Sequence, residues 1–260
     1  MDIKKAEIHR IISEAVEELK RLRTIWKEEF RDVPPVLWFG DIESSKPKVL
    51  VISANPNRPD QPVGNPRIPS ATGWNLKKVE IARLVNDYNR YFFNNPATKW
   101  FGVNPADKGK KEDRQGRIED FLNGIDASFY GDFTYQAIHI DILPFSTETS
   151  FTQIDSEIMA TNGVPQWINT HVQEMIRLIG PKLIIINGTS NFNYFNLCVN
   201  VGAQPYQAIQ CGKTNIWQAN LQPNMPPIIG ISMNMGSYCF NRREELVKLG
   251  KEVKKQLKFK

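Results

Sequence analysis

Two asparagines and one aspartate stand where apolar runs of this chain end. Asn55 follows the run VLVIS at 49–53 and Ala54, and Pro56 comes directly after it. Asn234 follows PIIGISM at 227–233, and Asp141 stands near the end of YQAIHIDIL at 135–143. A fourth run, KLIIIN at 182–187, ends on Asn187 and turns through Gly188-Thr189-Ser190. Carboxamides do not accept a proton near neutral pH, but they position water and donate hydrogen bonds to developing negative charge. Such groups suit a reaction in which bond breaking leads and the nucleophile needs little activation. Cleavage of an N-glycosidic bond is one. The sugar becomes oxocarbenium-like, the base departs with negative charge, and the base must first leave the stack.

Other chemistries lack their residues. The sequence has no Gly-x-Ser-x-Gly elbow, no GxGxxG fingerprint and no P-loop lysine. Its three histidines are far apart, and His139, inside an apolar run, reads as a core residue rather than a ligand. The three cysteines, Cys198, Cys211 and Cys239, form no CxxC pair. No metal and no cofactor is implied. A proline after Asn55 fixes the following φ, which would hold the amide at one angle; the other reading of Asn55-Pro56 is a turn that merely stops the strand.

With these strand ends in place, the chain resembles the uracil-DNA glycosylase superfamily over about residues 48 to 250. Ser53-Ala54-Asn55-Pro56-Asn57 resembles the first motif, in which an Asp or Asn before Pro positions the attacking water, although both glycines of the Asn-bearing form are absent. Asn234-Met235-Gly236-Ser237 resembles the second motif, whose His or Asn steadies the leaving base; Met235 stands where the family has proline. Thr72-Gly73-Trp74 resembles the segment whose aromatic ring stacks on the flipped base, and Pro56 would border the same base. Residues 182–190 resemble the third strand and its Gly-Ser turn.

The resemblance also implies what Asp141 does. It falls where the family has an asparagine that reads uracil through one donor and one acceptor. An ionised aspartate only accepts, so it would repel O4 of uracil and accept from the N4 amine of cytosine. This favours a modified cytosine, as in the branch of the family that removes glucosylated hydroxymethylcytosine from phage DNA. A structural role for Asp141, capping a turn or pairing with a cation, is the competing reading. Tyr238 or Phe240 would fill the gap in the duplex, unless Phe240 packs under the last helix. Arg58, Arg67, Arg242 or Arg243 would meet phosphate, and Ser190 and Ser237 would do so through backbone N–H groups at helix starts. Plain uracil excision, or a catalytically silent nucleic-acid-binding module on the same fold, are the rival functions.

The elements that position these residues follow from hydrophobic period. An amphipathic helix is expected at 6–30, and buried strands at 48–53, 135–143, 182–187 and 227–233. Helices are expected at 75–93, 165–179, 188–200 and 241–256, and a hairpin at 206–220. Residues 57–73 read as a long loop, and 104–120 as a charged, solvated insertion. Strands alternating with helices predict an α/β fold, a three-layer sandwich around a central, mainly parallel four-stranded sheet. Ligands then bind at the carboxyl ends of the strands. Residues 1–34 form a helical extension and 35–260 the main domain. The 260 residues are 41% hydrophobic with net charge +5, enough for a core and mildly suited to a polyanion. Double-stranded DNA is the expected partner of a monomeric, cytoplasmic protein. No signal peptide is expected, and no apolar run approaches the roughly 18 residues of a membrane span.

Overall fold

The run KVLVIS is continuous, short and rich in β-branched side chains, and it forms β1 (Lys48–Ser53), whose four central residues are buried. A strand buried on both faces belongs in the middle of a parallel sheet. The computed structural model describes residues 3–54, 74–75, 79–95, 97–98, 101–103, 117–149, 156–158, 160–199, 207–211, 214–219, 226–231 and 243–257. Around β1 the elements are α1 (Ile3–Ile25), α2 (Ile81–Asn89), α3 (Tyr91–Asn94), β2 (Ala97–Thr98), β3 (Gly102–Val103) and α4 (Ile118–Gly124). Then follow β4 (Ala127–Ser128), β5 (Tyr135–Asp141), α5 (Val164–Ile179), β6 (Leu183–Asn187) and α6 (Thr189–Val199). The chain ends with β7 (Gln207–Cys211), β8 (Thr214–Ala219), β9 (Ile228–Ile231) and α7 (Arg243–Gln256).

The main sheet has the order β4-β5-β1-β6-β9-β8-β7. Strands β4, β5, β1, β6 and β9 run parallel. The hairpin β7–β8 is antiparallel and adds to β9. The molecule is thus α/β, and the four expected strands are its parallel centre. The sheet is wider than expected: β4 extends one edge, and the hairpin docks on the other because β9 would otherwise present unpaired backbone groups.

The β5 edge is closed a second way. Phe39 pairs with His139 in both directions, at 2.8 and 2.9 Å. Upstream, Val36 N–H donates to Pro144 O at 2.7 Å, Arg31 N–H to Ser146 O at 3.0 Å, and Phe30 bridges Thr147. The stretch linking α1 to β1 therefore runs antiparallel beside the chain that leaves β5. Helix α1 buries Ile8, Ile11, Ile12, Ala15, Val16, Leu19 and Leu22 in the same apolar cluster as the sheet residues. Each such side chain contributes about 1.5–3 kcal/mol when fully buried.

Phe192 of α6 lies where a Cβ on Gly230 would stand, at 2.4 Å; only glycine at this point of β9 leaves room for the ring. Helices α4 and α7 cross at two glycines. A Cβ on Gly124 would meet Val247 O at 2.3 Å, and one on Gly250 would meet Phe121 O at 2.3 Å.

Several expectations change: the first helix, expected to reach 30, ends at Ile25, and the strand expected to reach 143 ends at Asp141. The helix expected from 75 begins only at Ile81, and Trp74, Asn75, Val79 and Glu80 lie outside it. Residues 117–120, expected at the end of a solvated insertion, are buried at the start of α4. The reason is a distant partner: Asp120 accepts from Arg117 N–H at 2.9 Å and also from Arg243 Nε at 3.0 Å, so its carboxylate is paired under α7. No helix among the described residues is long and apolar enough to cross a membrane.

Candidate functional site

The parallel strands end in register. Ser53 is paired with Asp141 across β1 and β5, Ile52 with Ile186 across β1 and β6, and Asn187 with Ile231 across β6 and β9. Register partners in a pleated sheet project from the same face. The carboxyl rim of the sheet therefore carries a polar row, Asp141, Ser53 and Asn187, on one face. Ladder bonds continue past the strands: Ile142 N–H donates to Ser53 O at 2.9 Å, Leu143 N–H to Ala54 O at 2.9 Å, and Gly188 N–H to Ile231 O at 3.0 Å.

Asp141 is 4% exposed. Two residues earlier on the same face lies His139, whose Nε2 stands 3.5 Å from Asp141 Oδ1. That separation is long for a hydrogen bond; it is an electrostatic contact between two buried groups. The imidazole is held from the other side by aromatic rings, with Phe101 edge-on at 4.8 Å and Phe39 stacked at 6.2 Å. His139 is buried, as a core residue is, and it also touches the carboxylate. The signal was present in the sequence as the i,i+2 spacing of His139 and Asp141, which puts both on one face of a strand.

At the next strand end, Asn187 is buried and its carbonyl accepts from Asn191 Nδ2 at 2.5 Å. Gly188 takes φ +103°, a region glycine enters without a Cβ penalty, and lets the strand turn straight into α6. Thr189 and Ser190 are exposed in the first turn of that helix. Ser190 thus stands in solvent at the carboxyl rim, where the helix end favours negative charge.

Trp74 is half-buried against the core, and its Nε1 donates to Asp32 Oδ1 at 3.2 Å. Asp32 also lies 3.6 Å from Arg23. Because Arg31 and Val36 bond to Ser146 and Pro144, Asp32 ties Trp74 to the carboxyl-end side of β5. Arg243 is held by Asp120 rather than free for a ligand. Asn55, Pro56, Arg58, Arg67, Asn234, Ser237, Tyr238, Phe240 and Arg242 lie outside the described residues, as do the loop at 57–73 and residues 104–116.

Two other buried titratable groups stand away from the rim. Glu119 is pushed up to about 7 by burial, against the opposing hydrogen bonds from Ser128 Oγ, Phe129 N–H and Asn123 Nδ2. His171, stacked on Trp167 at 4.8 Å, is lowered to about 3 by burial. No group of three or more metal-ligating side chains occurs among the described residues. Among the described residues the rim carries one carboxylate, one hydroxyl and one carboxamide, those of Asp141, Ser53 and Asn187. No family model and no curated protein matches the chain.

Proposed function

We propose that the chain is a monofunctional DNA glycosylase that flips out and excises a modified pyrimidine, a cytosine bearing a bulky glucosylated hydroxymethyl group. The observation that carries this reading is the common rim. The strand leading into Asn55 and the strand leading toward Asn234 flank β6 in one parallel sheet, and buried Asp141 is in register with Ser53 beside them. Ligands of such sheets sit at this rim. The three-layer sandwich belongs to the same reading. It is supported by Phe192 of α6 lying against the Gly230 side of the sheet and by Phe39 and Phe101 lying against His139 on the other.

In this mechanism the bond between C1′ and the base nitrogen breaks first, and its electron pair leaves with the base. Asn234 donates to that developing charge. Water oriented by Asn55 adds its oxygen to C1′ and gives its proton to solvent, leaving an abasic site. Trp74 stacks on the flipped base, Pro56 borders it, and Asp141 accepts from its N4 amine. Arg58, Ser190, Ser237 and Arg242 hold phosphates of double-stranded DNA, and Tyr238 fills the vacated position. Excision of this kind would serve defence against phage with modified DNA. The protein acts as a monomer in the cytoplasm.

The test is incubation with duplexes carrying uracil, hydroxymethylcytosine or its glucosylated form, followed by alkali. Strand cleavage at the glucosylated base is the expected result. Cleavage at uracil alone points to base-excision repair, and cleavage at none points to a silent nucleic-acid-binding module.

A further inference from the structure

A second polar and aromatic concavity lies at the opposite rim of the sheet. Gly40, at φ +113°, packs on Ala137 and Ile138, and Gln136 is the second residue of β5. With about 3.3 Å per residue, this end is roughly 16 Å from Asp141 along the strand. A cleft of about 410 Å³ opens here, within the ordinary range of small-molecule sites, about 300–1,000 Å³. It adjoins a second cleft of about 530 Å³, and both are lined by Asp41, Asn89 and Arg90.

The cleft has a rigid aromatic wall. Phe92 stacks on Phe129 at 4.3 Å and meets Tyr130 edge-on at 5.4 Å. In front of it Phe93 is 76% exposed; Phe93 and Ile25 are the exposed large apolar side chains among the described residues. The guanidinium of Arg90 lies over the Phe93 ring at 4.9 Å. No carboxylate among the described residues comes within 4.0 Å of it. Asp41 is equally fixed: its Oδ1 accepts from Glu43 and Ser44 N–H at 2.9 and 3.1 Å. Its Oδ2 accepts no hydrogen bond among the described residues. Buried Gln136 spends its Nε2 on the carbonyls of Ser128, Phe129 and Ala137, which leaves its Oε1 as a further acceptor.

A cation, a carboxylate and an amide acceptor thus face one aromatic-walled cleft, and the two charges do not neutralise each other. We propose that this cleft binds a free nucleoside monophosphate whose base carries an exocyclic amine. The base stacks on the open face of Phe93, its amine donates to Asp41 and Gln136 Oε1, and the phosphate meets Arg90 at the mouth of the adjoining cleft. Lys5 lines that second cleft and matches the phosphate's charge, while Glu43, also in its lining, accepts from Asn89 Nδ2 at 3.0 Å. An aromatic amino acid offers the same charges but fills far less of the joined space. A nucleotide within bound DNA does not reach here from the other rim.

The test is calorimetric titration of the full chain with CMP, AMP, UMP, inorganic phosphate and phenylalanine. CMP or AMP saturates the protein, while UMP, which offers a carbonyl to Asp41, binds at least roughly tenfold more weakly. Phe93→Ala and Arg90→Gln each weaken binding roughly tenfold, and Asp41→Asn narrows the gap between CMP and UMP. Phe93 is exposed, so its loss leaves thermal stability unchanged. Any of three results overturns the proposal: no saturation by AMP or CMP at millimolar concentration, tighter binding of phenylalanine, or affinities indifferent to Phe93→Ala. Excision activity of Phe93→Ala equals that of the wild type, so failure here leaves the reading of the other rim standing.

Discussion

His139 Nε2 and Asp141 Oδ1 are 3.5 Å apart on one face of β5, both buried, at the rim where the parallel strands end. A carboxylate in this position either reads a ligand edge or holds the fold around it, and the two roles separate by substitution. Asp141→Asn supplies one donor and one acceptor in the same volume. If Asp141 reads the base, the variant shifts preference from the cytosine-like base toward uracil by roughly 10- to 100-fold, the cost of about 1–3 kcal/mol for a mispaired buried group. Competition between the two substrates in one reaction measures this ratio. An unchanged ratio assigns Asp141 a structural role.

His171 gives the protein a sensitivity to acid. Its folded value, lowered to about 3 from 6.5, means that the unfolded chain takes up a proton that the folded chain refuses. The neutral imidazole's contribution is whole above pH 6.5 and is lost as pH falls toward 3. Urea melts of wild type and His171→Phe at pH 7 and pH 4.5 measure it. The wild type loses about 2.5 kcal/mol more than the variant over that interval.

Glu119 acts with the opposite sign. Its folded value is raised from 4.5 to about 7, so the folded chain holds a proton that the unfolded chain releases. Its contribution is whole below pH 4.5 and declines as pH rises to 7. Between pH 4.5 and 8, wild type loses about 3 kcal/mol relative to Glu119→Gln. The variant also gives up an acceptor for Phe129 N–H, a cost that does not depend on pH, so the slope is the readout.

The crossing of α4 and α7 tolerates no side chain at Gly124 or Gly250. The nearest atoms to a new Cβ are backbone, at 2.3 Å in both cases, so no rotamer change relieves the clash. Gly124→Ala lowers stability by about 2–3 kcal/mol, read as a fall in Tm. Lys251→Ala, on the exposed side of α7, leaves Tm within about 1 °C.

The strands were legible because their signal is local. Val49–Ile52 and Leu183–Ile186 are short continuous apolar runs, and such runs fit only the buried middle of a sheet. The helix α5 announced itself by Pro165 in its first turn and Gly180 at its end, with Gly180 at φ +61°. What the sequence hid was set by distant partners. Glu119 and Asp120 look solvated in a charged run, yet they are buried by Ser128, Phe129 and Arg243. The hairpin could be read from its pattern, but not its docking on β9. Trp74 stands out in the sequence by its ring, whereas its tie to Asp32 joins residues 42 apart. At the rim, the strand ends that collect Asp141, Ser53 and Asn187 followed from topology, while the contact of His139 with Asp141 needed side-chain positions.

The most direct test of the account is release of the free base from duplex DNA containing glucosylated hydroxymethylcytosine, followed by mass spectrometry for wild type and Asn55→Ala. Wild type releases the intact modified base and leaves an abasic strand, and Asn55→Ala releases it at least roughly 100-fold more slowly. No release from any modified or uracil-containing duplex, or release at the same rate from both proteins, would contradict the account.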